Sequence, residues 1–377
     1  MIIQSTRVWN AGTFMPLQLE LAEGKITGIY PHNTKEVDRD YGDRRIVPGF
    51  IEMHAHGAYG FDTNDAHPEG LRDWVRKLPL EGVTTILPTT VTQSEEVLLK
   101  ALQNVAQVVE TGYEGAEIYG VHFEGPYLNI RFKGAQPEEY IANPNLAQFK
   151  SYQEAAKGLI KYMTLAPEKD ENFELTQYAS QHGVAVSIGH SGATYEQAMW
   201  AIANGACCFT HAFNGMSPLN QREPGCVGAL MRSDAYSEII ADGRHVKPSI
   251  IYSLFQAKGK DRMVMVTDSL SAKGNPPGRY ELGGNEFIID EYGTAILLKT
   301  NGLAGSTLFS NRGLRVLAEE AQLPFEWAIN ALTKNPAELL KIDHRKGKLV
   351  VGYDADLVVL EDNYDVLQTY CLGREMK

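Results

Sequence analysis

Phe50-Ile51-Glu52-Met53-His54-Ala55-His56-Gly57 is the stretch on which the reading of the fold turns. It starts as an apolar run and ends in two histidines two residues apart, just before a glycine. On an extended segment, residues two apart point to the same side. Both imidazoles therefore face one way where the strand stops, and neutral imidazoles held side by side chelate transition metals. A lone His-x-His pair is as often a surface feature. Here it opens a series, because Glu124, His190, His211 and Asp268 also stand at the ends of apolar runs.

Those runs set the architecture. Eight of them alternate with helical patterns: Phe50 to Met53, Val83 to Pro88, Ile118 to Phe123, Ile160 to Leu165, Val184 to Ile188, Ala206 to Phe209, Ser237 to Ala241 and Met263 to Thr267. They recur about every 31 residues, the repeat of a (β/α)8 barrel. Between them lie amphipathic stretches such as Ser94 to Val109 and Thr194 to Asn204. The second begins with the capping pattern Thr194-Tyr195-Glu196-Gln197 and stops at Gly205. In a parallel barrel all strand C-termini meet on one rim, where active sites of this fold lie. His54, His56, Glu124, His190, His211 and Asp268 thus converge, with Asp242 and His245 following the seventh run. Convergence of four histidines with two acids points to a metal centre.

Outside the runs the rhythm changes. Ile2 to Val8, Leu17 to Leu21 and Ile26 to Tyr30 read as short strands, as do Lys348 to Val351 and Asp356 to Leu360 near the other end. Neither end has enough core to fold alone. The expectation is an α/β chain: a small β-sandwich built from 1–47 and 345–377, with a TIM-like barrel, 48–344, inserted between its halves. At 377 residues, 44% hydrophobic and 22% charged, the composition is that of a globular protein. Thirty-five basic against 47 acidic residues give a net charge of −12, which argues against nucleic-acid or anionic-membrane binding. No segment approaches the roughly 20 apolar residues of a membrane span. No signal peptide is read at the N-terminus. Cys207, Cys208, Cys226 and Cys371 form no CxxC pattern. The expected location is the cytoplasm.

The same segments carry a resemblance. Val47 to Gly57 is similar to the opening motif of the amidohydrolase superfamily. His122-Phe123-Glu124-Gly125-Pro126-Tyr127-Leu128, Ile188-Gly189-His190-Ser191, Thr210-His211-Ala212-Phe213-Asn214-Gly215-Met216 and Val266-Thr267-Asp268-Ser269 narrow it. Together with Gly352-Tyr353-Asp354-Ala355-Asp356-Leu357 they resemble the N-acetylglucosamine-6-phosphate deacetylases, from near residue 2 to about 360. The resemblance implies hydrolysis of the acetamide of N-acetyl-D-glucosamine 6-phosphate to D-glucosamine 6-phosphate and acetate, in amino-sugar catabolism and cell-wall sugar recycling. It implies Glu124, His190 and His211 as holders of the principal divalent metal, and His54 and His56 at a second position. It implies Asp268 as the acid/base. Arg222 and His245 match phosphate contacts, and Asn214 and Gly215 match backbone contacts to the sugar. Ala135 and Gln136 line the acetamide side, and Leu303, Ala304 and Gly305 match a loop that closes over it. It further implies a homodimer in which the Arg222 loop reaches the neighbouring subunit's site.

One position departs from part of that family: some members have a histidine, thought to polarise the amide carbonyl, where this chain has Gln136. A Gln amide can still donate, without a positive charge. A His and carboxylate donor set suits Zn, Fe, Mn or Co, one or two per subunit. Another metal-dependent amidohydrolase, acting on a different acetamido sugar phosphate or a cyclic amide, is the nearest alternative. Many such enzymes use a carboxylated lysine after the fourth strand, and Thr164-Leu165-Ala166-Pro167 offers none. A non-catalytic barrel scaffold is the remaining class, and it fits poorly with a complete ligand set. His122 is read as packing or supporting the ligands, and His32, His67, His182 and His344 as surface residues. The Gly-rich stretch Gly274 to Gly284 has two prolines and no following P-loop Lys-Ser/Thr, so it is not read as a nucleotide cradle.

Overall fold

The computed structural model describes residues 1–376. Its centre is a ring of eight parallel strands: Phe50–Ala55, Val83–Thr90, Val121–Glu124, Ile160–Leu165, Ala185–Ile188, Ala206–Phe209, Tyr236–Ile240 and Met263–Val266. Each pairs with the next in order. The near-continuous apolar character of these runs follows from burial on both faces. The second strand, for example, is buried at every residue from Val83 to Thr90.

Between the eighth strand and the first the ladder thins to one bridge, Ala55 to Ser269. Below it a side chain takes over. The Glu52 carboxylate accepts the backbone N–H of His54 at 3.0 Å and that of Thr267 at 3.1 Å. It stitches the two strands that carry His54, His56 and Asp268. Burial pushes the Glu52 carboxyl up to about 7.

Two of the outer helices start at side-chain caps. Ser94 accepts the N–H of Val97 and opens Glu95–Thr111. Thr194 and Gln197 exchange bonds as a capping box before Tyr195–Ala203. No helix among the described residues is long and apolar enough to cross a membrane.

Both ends of the chain enter one mixed sheet of eight strands. Ile2–Asn10 pairs with Thr13–Ala22 and with Arg45–Pro48, which in turn pairs with Leu357–Leu360. Alternation along the last strand divides its labour. Leu357 and Val359 join a core of the sheet's own with Ile3, Val8, Leu19 and Ile46, whereas Val358 and Leu360 pack into the barrel core. One local expectation fails. Lys348 to Val351 is no strand: Val350 and Val351 are exposed, and the segment turns back between Gly347 and Gly352. The Gly-rich stretch after Asp268 carries strands of its own. Gly278–Leu282, Asn285–Ile289 and Ala295–Leu297 form a three-stranded antiparallel sheet. It packs on Val91, Leu270 and Ala304 beside the barrel mouth.

Candidate metal and active site

Six of the residues singled out by sequence meet at the C-terminal rim. They form two groups, His54/His56/Asp268 and Glu124/His190/His211, whose ligand-capable atoms lie within 4.8 Å of one another in each group. All six are buried. His190, His211 and Asp268 adopt left-handed backbone, with φ of 47°, 31° and 49°. Such conformations cost of order 1–3 kcal/mol each and persist where the surroundings over-determine them.

Glu124 stands between the groups. Its Oε1 lies 3.4 Å from His190 Nε2, 3.5 Å from His211 Nε2 and 3.4 Å from His54 Nε2. Its Oε2 lies 3.2 Å from His56 Nε2. Asp268 Oδ1 lies 3.3 Å from His56 Nε2 and 3.5 Å from His54 Nε2. Burial works against both carboxylates, yet the His54 charge and the His190 and His211 rings beside it hold Glu124 well below the usual carboxylate range. Asp268 is likewise held down by His54 and His56. Reciprocally, and against burial, these carboxylates raise His54 strongly and His56 to about 9.

The proton bookkeeping shows what this cluster suits. His190 donates Nδ1–H to the Phe132 carbonyl at 2.8 Å, and His211 donates Nδ1–H to the Asn214 carbonyl at 3.0 Å. Carbonyls only accept, so in the neutral rings both Nε2 atoms present lone pairs. Those atoms face each other at 3.1 Å beside Glu124 Oε1. His54 Nε2 and Glu124 Oε1 are buried without a hydrogen-bond partner. Converging lone pairs that no donor satisfies fit a divalent cation, as does the mixed imidazole and carboxylate donor set.

A cavity of about 270 Å³ opens onto these groups. It is lined by Gly134, Ala135, Gln136, Asn214, Gly215, Ile240, His245, Leu282, Leu303 and Gly305 beside the ligand-capable residues. Ala304 sits just behind the lining, buried, its N–H bonded to Ala295. Arg222 is not brought in: it is exposed on the loop after the sixth strand. A larger cavity, about 650 Å³, lies at the other end of the barrel among the mutually paired charges of Glu117, Lys346 and Asp356, and holds none of the two groups.

Within the mouth, several side chains are already engaged. Gln136 accepts the Thr92 N–H at 2.8 Å through Oε1 and donates to Glu124 Oε2 at 2.7 Å through Nε2. One of its two amide hydrogens thus holds Glu124 and one is left for the cavity. Both backbone groups of Asn214 bond to His211. His245 is fixed by Asp242, whose Oδ2 lies 2.6 Å from Nδ1. Burial opposes its charge, but Asp242 and then Asp268 raise the His245 ring above its ordinary value.

Sequence reading passed over the supports. Glu238, fully buried on the seventh strand, accepts from His54 Nδ1 at 2.9 Å and from the His211 N–H at 3.0 Å. Glu168 ties Asn129, Ser191 and Gly192 together behind His190. An acid inside an otherwise apolar run was the available signal for Glu238. His122 bonds to Thr164 at 2.8 Å and lies outside both groups; burial and then the His54 charge push it well below its ordinary value.

Comparison with known proteins agrees with this geometry. The amidohydrolase family model matches residues 45–376. N-acetylglucosamine-6-phosphate deacetylase of Bacillus subtilis is 38% identical over 359 residues, covering 93% of this chain and 90% of that protein. N-acetylgalactosamine-6-phosphate deacetylase of Escherichia coli O157:H7 is 35% identical over 358 residues, covering 95% and 94%. A solved mutant of the Mycobacterium smegmatis N-acetyl-D-glucosamine-6-phosphate deacetylase, in complex with N-acetyl-D-glucosamine-6-phosphate, superposes with a TM-score of 0.94 at 30% identity, covering 100% of this chain and 99% of that one. With a barrel rim carrying two metal-capable groups and a family match across nearly the whole chain, this protein belongs to the amidohydrolase family.

Proposed function

We propose that the chain hydrolyses the acetamide of N-acetyl-D-glucosamine 6-phosphate, releasing D-glucosamine 6-phosphate and acetate. The observation that carries the reaction class is the meeting of Glu124, His190 and His211 around facing lone pairs, with a buried carboxylate, Asp268, alongside. The named relatives supply the substrate class. Glu124, His190 and His211 would hold a divalent cation, which would supply Lewis acidity toward water and the carbonyl oxygen. His54 and His56 are proposed to hold a second one. Asp268 takes the proton of the attacking water on Oδ1 and returns it to the leaving sugar nitrogen. Gln136 steadies Glu124 and points its remaining amide hydrogen at the substrate carbonyl. Ala135, Gly215, Leu303 and Gly305 shape the walls, with Asn214 and Ala304 fixing the two loops from behind.

His245 is proposed to bind the phosphate as an imidazolium. The KM for the phosphorylated sugar is then low while the ring is charged and rises as pH climbs through its raised pKa. Asp242→Asn removes the group that sustains that charge, so the rise moves to lower pH. A KM flat with pH in both proteins would take the phosphate away from His245.

We extend the reading to a homodimer in the cytoplasm, acting in amino-sugar catabolism, with Arg222 serving the phosphate of the neighbouring subunit. The sheet formed by 1–47 and 345–377 is proposed as a domain separate from the barrel, 48–344. A second reading is the galacto epimer, supported by the relative named for that substrate. The test is acetate release from N-acetylglucosamine 6-phosphate, its galacto epimer and unphosphorylated N-acetylglucosamine, with metal counted per chain. The expected result is preference for the phosphorylated gluco sugar, lost on chelation and restored by divalent metal. Arg222→Ala is expected to raise KM for phosphorylated sugars alone. Faster turnover of the galacto epimer selects the second reading. No acetate from any of them with metal bound overturns both.

A further inference from the structure

Glu238 is a carboxylate in the barrel interior with no lysine or arginine paired to it among the described residues. Its partners are three donors. Oε2 receives the His211 backbone N–H at 3.0 Å and faces His54 Nδ1 at 2.9 Å, and Oε1 receives the Tyr162 hydroxyl at 2.7 Å. A backbone N–H can only donate, so Oε2 is an acceptor and His54 Nδ1 must carry the hydrogen. The neutral His54 ring therefore turns a lone pair out at Nε2, toward Glu124 Oε1 at 3.4 Å and Asp268 Oδ1 at 3.5 Å.

His54 differs here from the other two rings that are tied back through Nδ1. His190 and His211 lean on neutral backbone carbonyls, of Phe132 and Asn214. Of the ligand-capable rings tied back through Nδ1, only His54 leans on a carboxylate. A carboxylate behind an imidazole fixes its tautomer and makes its far nitrogen a stronger ligand. A buried anion without a fixed cation is costly, and the positive charge that balances Glu238 belongs on the far side of His54.

We propose that Glu238 is the positioning residue that sets metal affinity at the His54/His56/Asp268 position, leaving the Glu124/His190/His211 position to neutral supports. This rests on the reading, made above, that both groups hold metal. Because Glu238 also holds the His211 N–H, a purely architectural role would disturb both positions together. A charge effect through His54 is selective.

The experiment is titration of the chelator-stripped full chain with Zn²⁺, following stoichiometry and the affinity of each equivalent. Glu238→Gln is the informative variant. The Gln carbonyl can accept from His54 Nδ1 and the His211 N–H while its NH2 donates to the Tyr162 oxygen, so the network survives and the charge is lost. The first equivalent is expected unchanged and the second weakened about 10–100-fold. His54→Ala identifies the second equivalent by abolishing it. Tyr162→Phe, which keeps the carboxylate and concentrates its charge, is expected to bind the second equivalent at least as tightly as the natural protein. It decides the matter should Glu238→Gln fail to fold: a weaker second equivalent there overturns the proposal. Equal weakening of both equivalents in Glu238→Gln, or none, overturns it as well. A natural protein that takes up a single Zn²⁺ overturns the two-metal reading itself, and the role of Glu238 with it.

Discussion

Asp268→Asn is expected to lower kcat about 10²–10⁴-fold, the range spanned by a positioned general acid/base, with little change in KM. The residue ends the eighth strand, buried, its backbone forced into the left-handed region by bonds from Asp268 N–H to the His54 carbonyl and from Ser306 N–H to the Asp268 carbonyl. His54 and His56 hold its carboxyl below the ordinary value against the pull of burial. It is thus ready to accept a proton across the working pH range. Asparagine has the same shape and cannot accept one there. Loss confined to kcat marks an interaction made in the transition state. Activity should be measured at saturating Zn²⁺ with metal counted per chain, because Asp268 itself belongs to the His54/His56/Asp268 group. Activity within tenfold of the natural protein would remove Asp268 from proton transfer.

The largest stability effect is expected at a pair that touches no ligand. Lys273 Nζ lies 2.6 Å and 2.8 Å from the two Glu81 oxygens, both side chains are almost wholly buried, and Ser310 donates its N–H to the same carboxylate. The pair fastens the segment following Asp268 to the approach of the second strand. Lys273→Met leaves Glu81 charged and alone, at a cost of about 3–5 kcal/mol. Lys273→Met with Glu81→Leu removes both charges and recovers most of that loss, because a buried pair contributes little net stability over an apolar replacement. Denaturant midpoints of the single and double variants test this. A single variant as stable as the double would show that water reaches Glu81.

What could be read without a structure was what depends on neighbours in sequence. The eight barrel runs, the Thr194 cap and the polar strand ends are patterns of a few residues, and the structure places strands, helix and site there. The three-stranded sheet at Gly278–Leu297 is not legible in the sequence because its strands are short, interrupted by glycine and half exposed, so neither alternation nor an apolar run stands out. Lys348 to Val351 has a strand's composition, yet flanking glycines turn it. Glu238 lay furthest from view. Its meaning comes from facing His54 across the barrel, 184 residues away in the chain, and no local pattern encodes that. Gln136 and Asn214 line the cavity, and their hydrogen bonds to Glu124 and His211 depend on loop geometry that no short pattern reveals.

The pairing of Arg45–Pro48 with Leu357–Leu360 sets a timetable for the ribosome. Ile46 meets Val359 in the ladder, and at roughly 5–20 residues per second the roughly 300 residues between them take about 15–60 s to translate. Throughout that interval the N-terminal strands of the sheet lack Leu357–Leu360, with Ile3, Val8 and Ile46 short of cover. The nascent chain therefore carries an open β-edge for most of its synthesis, a target for holding chaperones and for neighbouring nascent chains. A stop codon before Leu357 strands Arg45–Pro48, roughly three hundred residues upstream of the break, without the partner that covers it.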